Sequence, residues 1–161
     1  MRYIKLIIAI GISLLPGIIG SLFTAPAISG WYAGLIKPAI NPPSWVFGPM
    51  WTTLYILMGI AAYLVWQSYA EHNDTAEKRR RRNALVIFDV QLILNAVWSI
   101  IFFGLERPGA AFFEIVLLWC AIGATIYVFY PISRTAAYLL IPYIAWVSFA
   151  AYLNYSLWML N

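Results

Sequence analysis

KRRRR (Lys78–Arg82), then one residue on ALVIFDVQLILNAVWSIIFFG (Ala84–Gly104), is the stretch that decides the fold. The second string carries one charged residue, Asp89. A hydrocarbon layer of about 30 Å needs roughly 20 apolar residues in a helix, and this string has that length. A basic block beside it is what the positive-inside rule places in a cytosolic connection. On its own the block would also suit nucleic acid. Beside long apolar segments it is read as a membrane-topology signal, with no nucleic-acid partner.

Working outward, four more segments repeat the pattern. They run Ile4–Phe23, Val46–Tyr69, Gly109–Tyr130 and Thr135–Leu160, and a polar stretch, Glu71–Asn83, separates the second from the third. Composition agrees. Hydrophobic residues are 63% and charged residues 10% of 161, against about 25% charged in a soluble domain. Too few charges remain to solvate a globule, so a soluble enzyme and a disordered chain are excluded. The expected fold is all-α: an integral membrane bundle of five transmembrane helices, one domain over residues 1–161.

The first segment also has features of a signal peptide: Arg2 and Lys5, an apolar run, then Ala25-Pro26-Ala27. The run exceeds the usual signal core, and small residues recur at Ala9, Ser13, Gly17 and Ser21, a stripe that lets a second helix approach closely. It is read as a retained helix, kinked at Pro16. With five spans, Arg2, Lys5, Lys78, Arg79, Arg80, Arg81, Arg82 and Arg134 share one side and Lys37 and Arg107 the other. That bias puts the N-terminus in the cytosol.

Chemistry is sparse. Cys120 and His72 are the single cysteine and single histidine, so an intramolecular disulfide, a multi-ligand zinc site and a bis-histidine haem are not expected. No Gly-rich phosphate loop, G-x-S-x-G or H-E-x-x-H motif occurs. The acids within spans, Asp89 and Glu114, fall near opposite interfaces, Asp89 close enough to pair with the basic block. Aromatics, by contrast, are 17% of the chain, with 8 Trp. At about 100° per residue, Gln91, Asn95, Trp98 and Phe102 share a face of the third helix. Pro142, Tyr143, Trp146, Phe149, Ala150 and Leu153 share one on the fifth, and Trp51, Tyr55, Met58 and Ala62 one on the second. Three aromatic and amide faces suit a flat, conjugated, mostly apolar ligand. The connection Ala25–Ser44, dense in Pro and Gly and carrying Trp31, Tyr32 and Trp45, reads as an ordered lid.

These residues carry a family resemblance. Trp31-Tyr32-x-x-Leu35-x-Lys37-Pro38, Asn41-Pro42-Pro43-x-Trp45-x-Phe47 and Trp51-x-x-Leu54-Tyr55 are similar to the signature of the TspO/MBR family, the translocator or tryptophan-rich sensory proteins. Gln91-x-x-x-Asn95-x-x-Trp98 and Pro142-Tyr143-x-x-Trp146, followed by Ala150 and Asn154, resemble it too. The resemblance implies a five-helix bundle, often a homodimer, with a pocket opening toward the first connection. It implies porphyrin-type ligands such as protoporphyrin IX or haem, bound as ligands with no obligatory cofactor and no metal site. The candidate ligand residues are Trp31, Tyr32, Pro42, Pro43, Trp51, Tyr55, Gln91, Asn95, Trp98, Tyr143, Trp146, Phe149 and Ala150. The expected function is tetrapyrrole binding as a sensor or regulator. The alternatives are light- and oxygen-driven porphyrin degradation, with Trp51 and Trp146 as catalytic residues, and tetrapyrrole transport. The expected location is a prokaryotic cell membrane, the mitochondrial outer membrane being the alternative. Two departures stand out: Ile40 occupies a position where the family commonly has an aromatic, and no basic residue follows Tyr155, as the animal sterol motif would require.

Overall fold

The computed structural model describes residues 2–71 and 74–161, the side chains of residues 2 and 69–71 excepted. His72 lies outside the described residues. The elements are α1 (Arg2–Ser29), α2 (Trp31–Gly34), α3 (Ser44–Glu71), α4 (Thr75–Ser99) continuing through a π turn (Ile100–Gly104), α5 (Pro108–Phe129), α6 (Arg134–Leu139) and α7 (Ile141–Leu160). Among the described residues there is no strand. Five stretches are long and apolar enough to cross a membrane: Tyr3–Ser29, Ser44–Ser68, Thr75–Gly104, Pro108–Phe129 and Arg134–Leu160. The chain is an integral membrane five-helix bundle.

The helices outrun the apolar segments, and each extension has a cause. α1 passes through both Pro16 and Pro26 to Ser29, so Ala25-Pro26-Ala27 is helical and the connection shrinks to residues 30–43. A proline removes one ladder bond, whereas abandoning the helix in lipid strands many more polar groups. The basic block, expected in a loop, forms the opening turns of α4. Asp74 caps that helix by accepting from the Ala76 N–H at 3.1 Å. Lys and Arg are good helix formers, and Glu77 pairs with Arg80 and Arg81 at 3.3 and 3.2 Å. Arg81 is buried and donates to Ser68 of α3, riveting the two helices. Asp89 is exposed on α4; the ion pairs among the described residues run to Glu77 instead.

Only one proline interrupts a span. The fifth breaks at Leu140, between α6 and α7, where Pro142 has no N–H to give to the preceding turn.

α1 packs on α3 and α4, α4 on α5, α5 on α7, and α3 on α6. The buried interior is apolar, with Met58, Val65, Ile122 and Phe129 sealed from outside and Phe88 stacked on Phe129 at 5.8 Å. The connection at residues 30–43, the turn at residues 105–107 and Asn161 gather at one end, since Ile36 bonds Asn161 and Trp31 meets Phe102 edge-on at 5.6 Å. The other end joins Arg81 to Ser68, and sets Lys5 over Trp66 and Arg134 over Tyr130.

The small-residue stripe does bring backbones together. At Gly59 of α3 an added Cβ would lie 2.5 Å from Ile10 Cα of α1, a collision with backbone. Gly59→Val should therefore destabilise the bundle by about 1–3 kcal/mol or more. Gly11→Ala, with nothing within 4 Å of the new carbon, should be close to neutral. Thermal unfolding of both variants in one detergent checks the contrast.

Candidate ligand cavity

A cavity of about 550 Å³ lies in the half of the bundle nearest the 30–43 connection. Its size is that of a pocket for a drug-sized ligand. α1 supplies Gly17, Gly20, Ser21 and Thr24; α3 supplies Trp51, Thr52 and Tyr55; α4 and its π turn supply Trp98, Ser99, Phe102 and Phe103; α7 supplies Ala150, Leu153, Asn154 and Leu157. Tyr32 of α2 closes the end.

The walls are aromatic. Trp51 stacks on Tyr55, ring centres 5.6 Å apart, and Trp98 stacks on Phe102 at 5.2 Å. The π turn explains how neighbouring residues Phe102 and Phe103 both reach the cavity. A π turn adds one residue within a turn and re-aims the side chains around it. Here the two rings lie edge to face at 4.7 Å, and each also contacts Tyr32.

Hydrogen bonds fix the frame behind those rings. The Tyr55 hydroxyl donates to Asn95 Oδ1 at 2.6 Å, and Asn95 Nδ2 donates to the Tyr143 hydroxyl oxygen at 3.0 Å. The Trp98 indole N–H donates to Asn154 Oδ1 at 3.0 Å, while Asn154 Nδ2 donates to the Pro108 carbonyl at 2.6 Å. Among the described lining residues none is charged. The cavity offers flat ring faces and a few hydroxyls, a chemistry that accepts a planar apolar body and leaves ionised substituents at its edge.

Its mouth faces sideways. Ile18, Ser21, Ala25, Trp45, Gly48 and Thr52 line the cavity and are also exposed, and all lie on α1 or the first half of α3. Trp45 is 74% exposed. The connection above is tied down. Tyr32 is buried and its hydroxyl donates to Asn41 Oδ1 at 3.1 Å; Lys37 Nζ donates to the Ala33 and Leu35 carbonyls at 3.3 and 3.2 Å. The Ile36 N–H donates to Asn161 Oδ1 at 2.9 Å, and Asn161 Nδ2 returns a bond to the Ile36 carbonyl at 3.1 Å.

Of the residues singled out from the sequence, Tyr32, Trp51, Tyr55, Trp98 and Ala150 lie on the cavity wall. Asn95 and Tyr143 stand behind it, their polar atoms turned to one another and to Tyr55. Trp31 backs Phe102. Pro42 and Pro43 lead into α3 without lining the cavity, and the Asn41 amide donates to the Pro42 carbonyl at 3.1 Å. Gln91 points deeper, to Met58 Sδ at 3.8 Å. Trp146 sits one ring away, edge-on to the lining residue Phe47 at 6.0 Å, with Phe149 beside it at 5.6 Å. The wall that the candidate list lacks is α1. Its signal was the small-residue stripe, where Gly17 leaves room for the Tyr55 ring: a Cβ there would lie 2.5 Å from it.

A profile of the TspO/MBR family matches residues 9–159. The chain belongs to that family. It is 43% identical to the tryptophan-rich protein TspO of Chlorobaculum tepidum, over 99% of this chain and 98% of that one. It is 42% identical to a protein of the same name from Archaeoglobus fulgidus, over 100% and 99%. The translocator protein of Homo sapiens is 40% identical, over 95% of this chain and 89% of its own length. Family membership and the five spans are thus shown together.

Burial raises the Tyr32 phenol above its ordinary value of 10.0, and the Asn41 bond only partly opposes this. A raised value means the closed connection has its full stability below about pH 10 and loses it as pH climbs through the higher folded value. Hydrogen exchange at the Ile36 amide should therefore stay protected to about pH 10, beyond the intrinsic rise of exchange with pH, and then accelerate. In Tyr32→Phe that extra acceleration should vanish.

Proposed function

We propose that this protein binds porphyrin-type tetrapyrroles within the membrane and acts as a sensor or regulator of tetrapyrrole physiology. The single observation that carries the reading is the uncharged cavity with Trp51, Tyr55, Trp98 and Phe102 on its walls. Indole and phenyl faces stack on a conjugated macrocycle, and a flat apolar ligand needs no buried counter-ion. The sideways mouth suits a ligand already dissolved in the bilayer. Relatives carry the names tryptophan-rich sensory protein, in Cereibacter sphaeroides, and translocator protein, in Homo sapiens. In this reading the N-terminus faces the cytosol of a prokaryotic cell, with the mouth and its connection toward the opposite side.

Two alternatives have separate support. For light-driven porphyrin degradation, Trp51 presents its ring to the cavity, where an excited ligand would meet it. For transport, broken helices at mid-membrane would be the pointer. The break at Leu140 instead follows the short α6, one element from the end of the span.

Porphyrin titration should quench tryptophan fluorescence. Trp51→Phe should weaken affinity more than Trp146→Phe, because only Trp51 touches the cavity. Equal, undiminished affinity in both variants would remove the site. Under illumination, bound porphyrin that merely bleaches at the rate of free dye supports binding alone; a new pigment that disappears in Trp51→Phe supports the enzyme. Net flux in sealed vesicles would favour the transporter.

A further inference from the structure

The basic block is the one sequence feature that the cavity does not use. Lys78 to Arg82 occupy successive positions in the opening turns of a rigid helix. Arg81 alone turns inward, buried, paired with Glu77 and bonded to Ser68 of α3. That rivet fixes the rotation of the helix and so aims the others. Arg79 and Arg82 are exposed, and Lys78 is half-buried; among the described residues none of the three makes an ion pair. Arg80 shares Glu77.

The height of the block is set by its neighbours. Ser68 lies two residues beyond Trp66, whose ring carries Lys5 Nζ at 5.5 Å. At the same end the guanidinium of Arg134 lies 5.6 Å over Tyr130. Aromatic rings beneath cations mark the membrane–water interface. From Lys78 to Arg82 the helix rises four steps of 1.5 Å, about 6 Å. One headgroup layer is about 5–8 Å deep, the difference between the whole bilayer and its hydrocarbon. All the free cations of the block therefore fall within a single headgroup layer. Helix N-termini add further positive potential there.

We propose that Lys78, Arg79 and Arg82 form a binding surface for anionic phospholipid headgroups of the leaflet in which this end sits. The phosphate of a charged lipid meets two or three unpaired cations at its own depth, whereas a zwitterionic lipid brings its own positive group. The surface is independent of the ligand cavity, which lies at the other end of the bundle.

The test uses the full chain in nanodiscs of phosphatidylcholine alone or mixed with phosphatidylglycerol, with retained lipid counted by native mass spectrometry after release. Wild type should retain phosphatidylglycerol in preference to phosphatidylcholine, and the preference should shrink with added salt. The double variant Arg79→Gln/Arg82→Gln, which keeps Arg81, should lose about thirtyfold in that preference, at about 1 kcal/mol per cation. Its melting temperature in phosphatidylcholine discs should match wild type, showing that the bundle is intact. No preference in wild type, or an unchanged preference in the double variant, overturns the proposal. So does tight binding of a labelled single-stranded oligonucleotide that phosphatidylglycerol fails to displace, which would give the surface to nucleic acid.

Discussion

Asn95 ties three spans at one point. Its carbonyl oxygen takes the Tyr55 hydroxyl of α3 and its amide gives to the Tyr143 hydroxyl of α7, all three side chains being buried. In lipid, apolar contact does not favour one helix neighbour over another, because the tails are as apolar as the side chains. Register has to come from close packing and from hydrogen bonds. Bonds of this kind average about 0.6 kcal/mol in bilayers and reach about 1.7, modest singly, but an amide with both ends engaged tolerates only one arrangement. That arrangement holds the Tyr55 ring upright and, through stacking, Trp51. The cavity is the space left beside this knot.

A second knot works the same way nearer the connection. Asn154 takes the Trp98 indole and gives to the Pro108 carbonyl at the start of α5. Proline lacks an N–H, and the first turn of a helix has donors rather than carbonyls to spare. The bond therefore fastens α7 to α5 through a carbonyl at the α5 terminus. Both amides spend their polarity on holding aromatic rings still. The cavity is consequently rigid, apolar and free of charge, properties that select by shape and ring stacking.

Much of this was legible in the residues. Five runs of bilayer length gave the span count, and the motif running from Trp31 to Tyr55 gave the family, because prolines and aromatics at fixed spacing have few other uses. Trp98 and Asn95 were legible as one helical face, although their different jobs were not: periodicity says which residues share a side, never which of them stands in front. Trp146 shares a face with Tyr143 and Ala150, yet Phe47 stands between it and the cavity. The α1 wall was missed for a related reason. Gly17, Gly20 and Ser21 bear little chemistry, and what they supply is room. The helical start of α4 was hidden by hydropathy, which scores charge and not helix propensity.

The π turn at Ile100–Gly104 has a consequence for length variation along α4. A turn that already holds a surplus residue can lose one and close as an ordinary helix, leaving the backbone ladder complete. A single deletion there would spare the span but swing everything beyond it by about 100° relative to everything before. The phase between Trp98 and the Phe102–Phe103 pair is written in that surplus residue, so insertions and deletions separate the durability of the scaffold from the shape of the hollow it encloses.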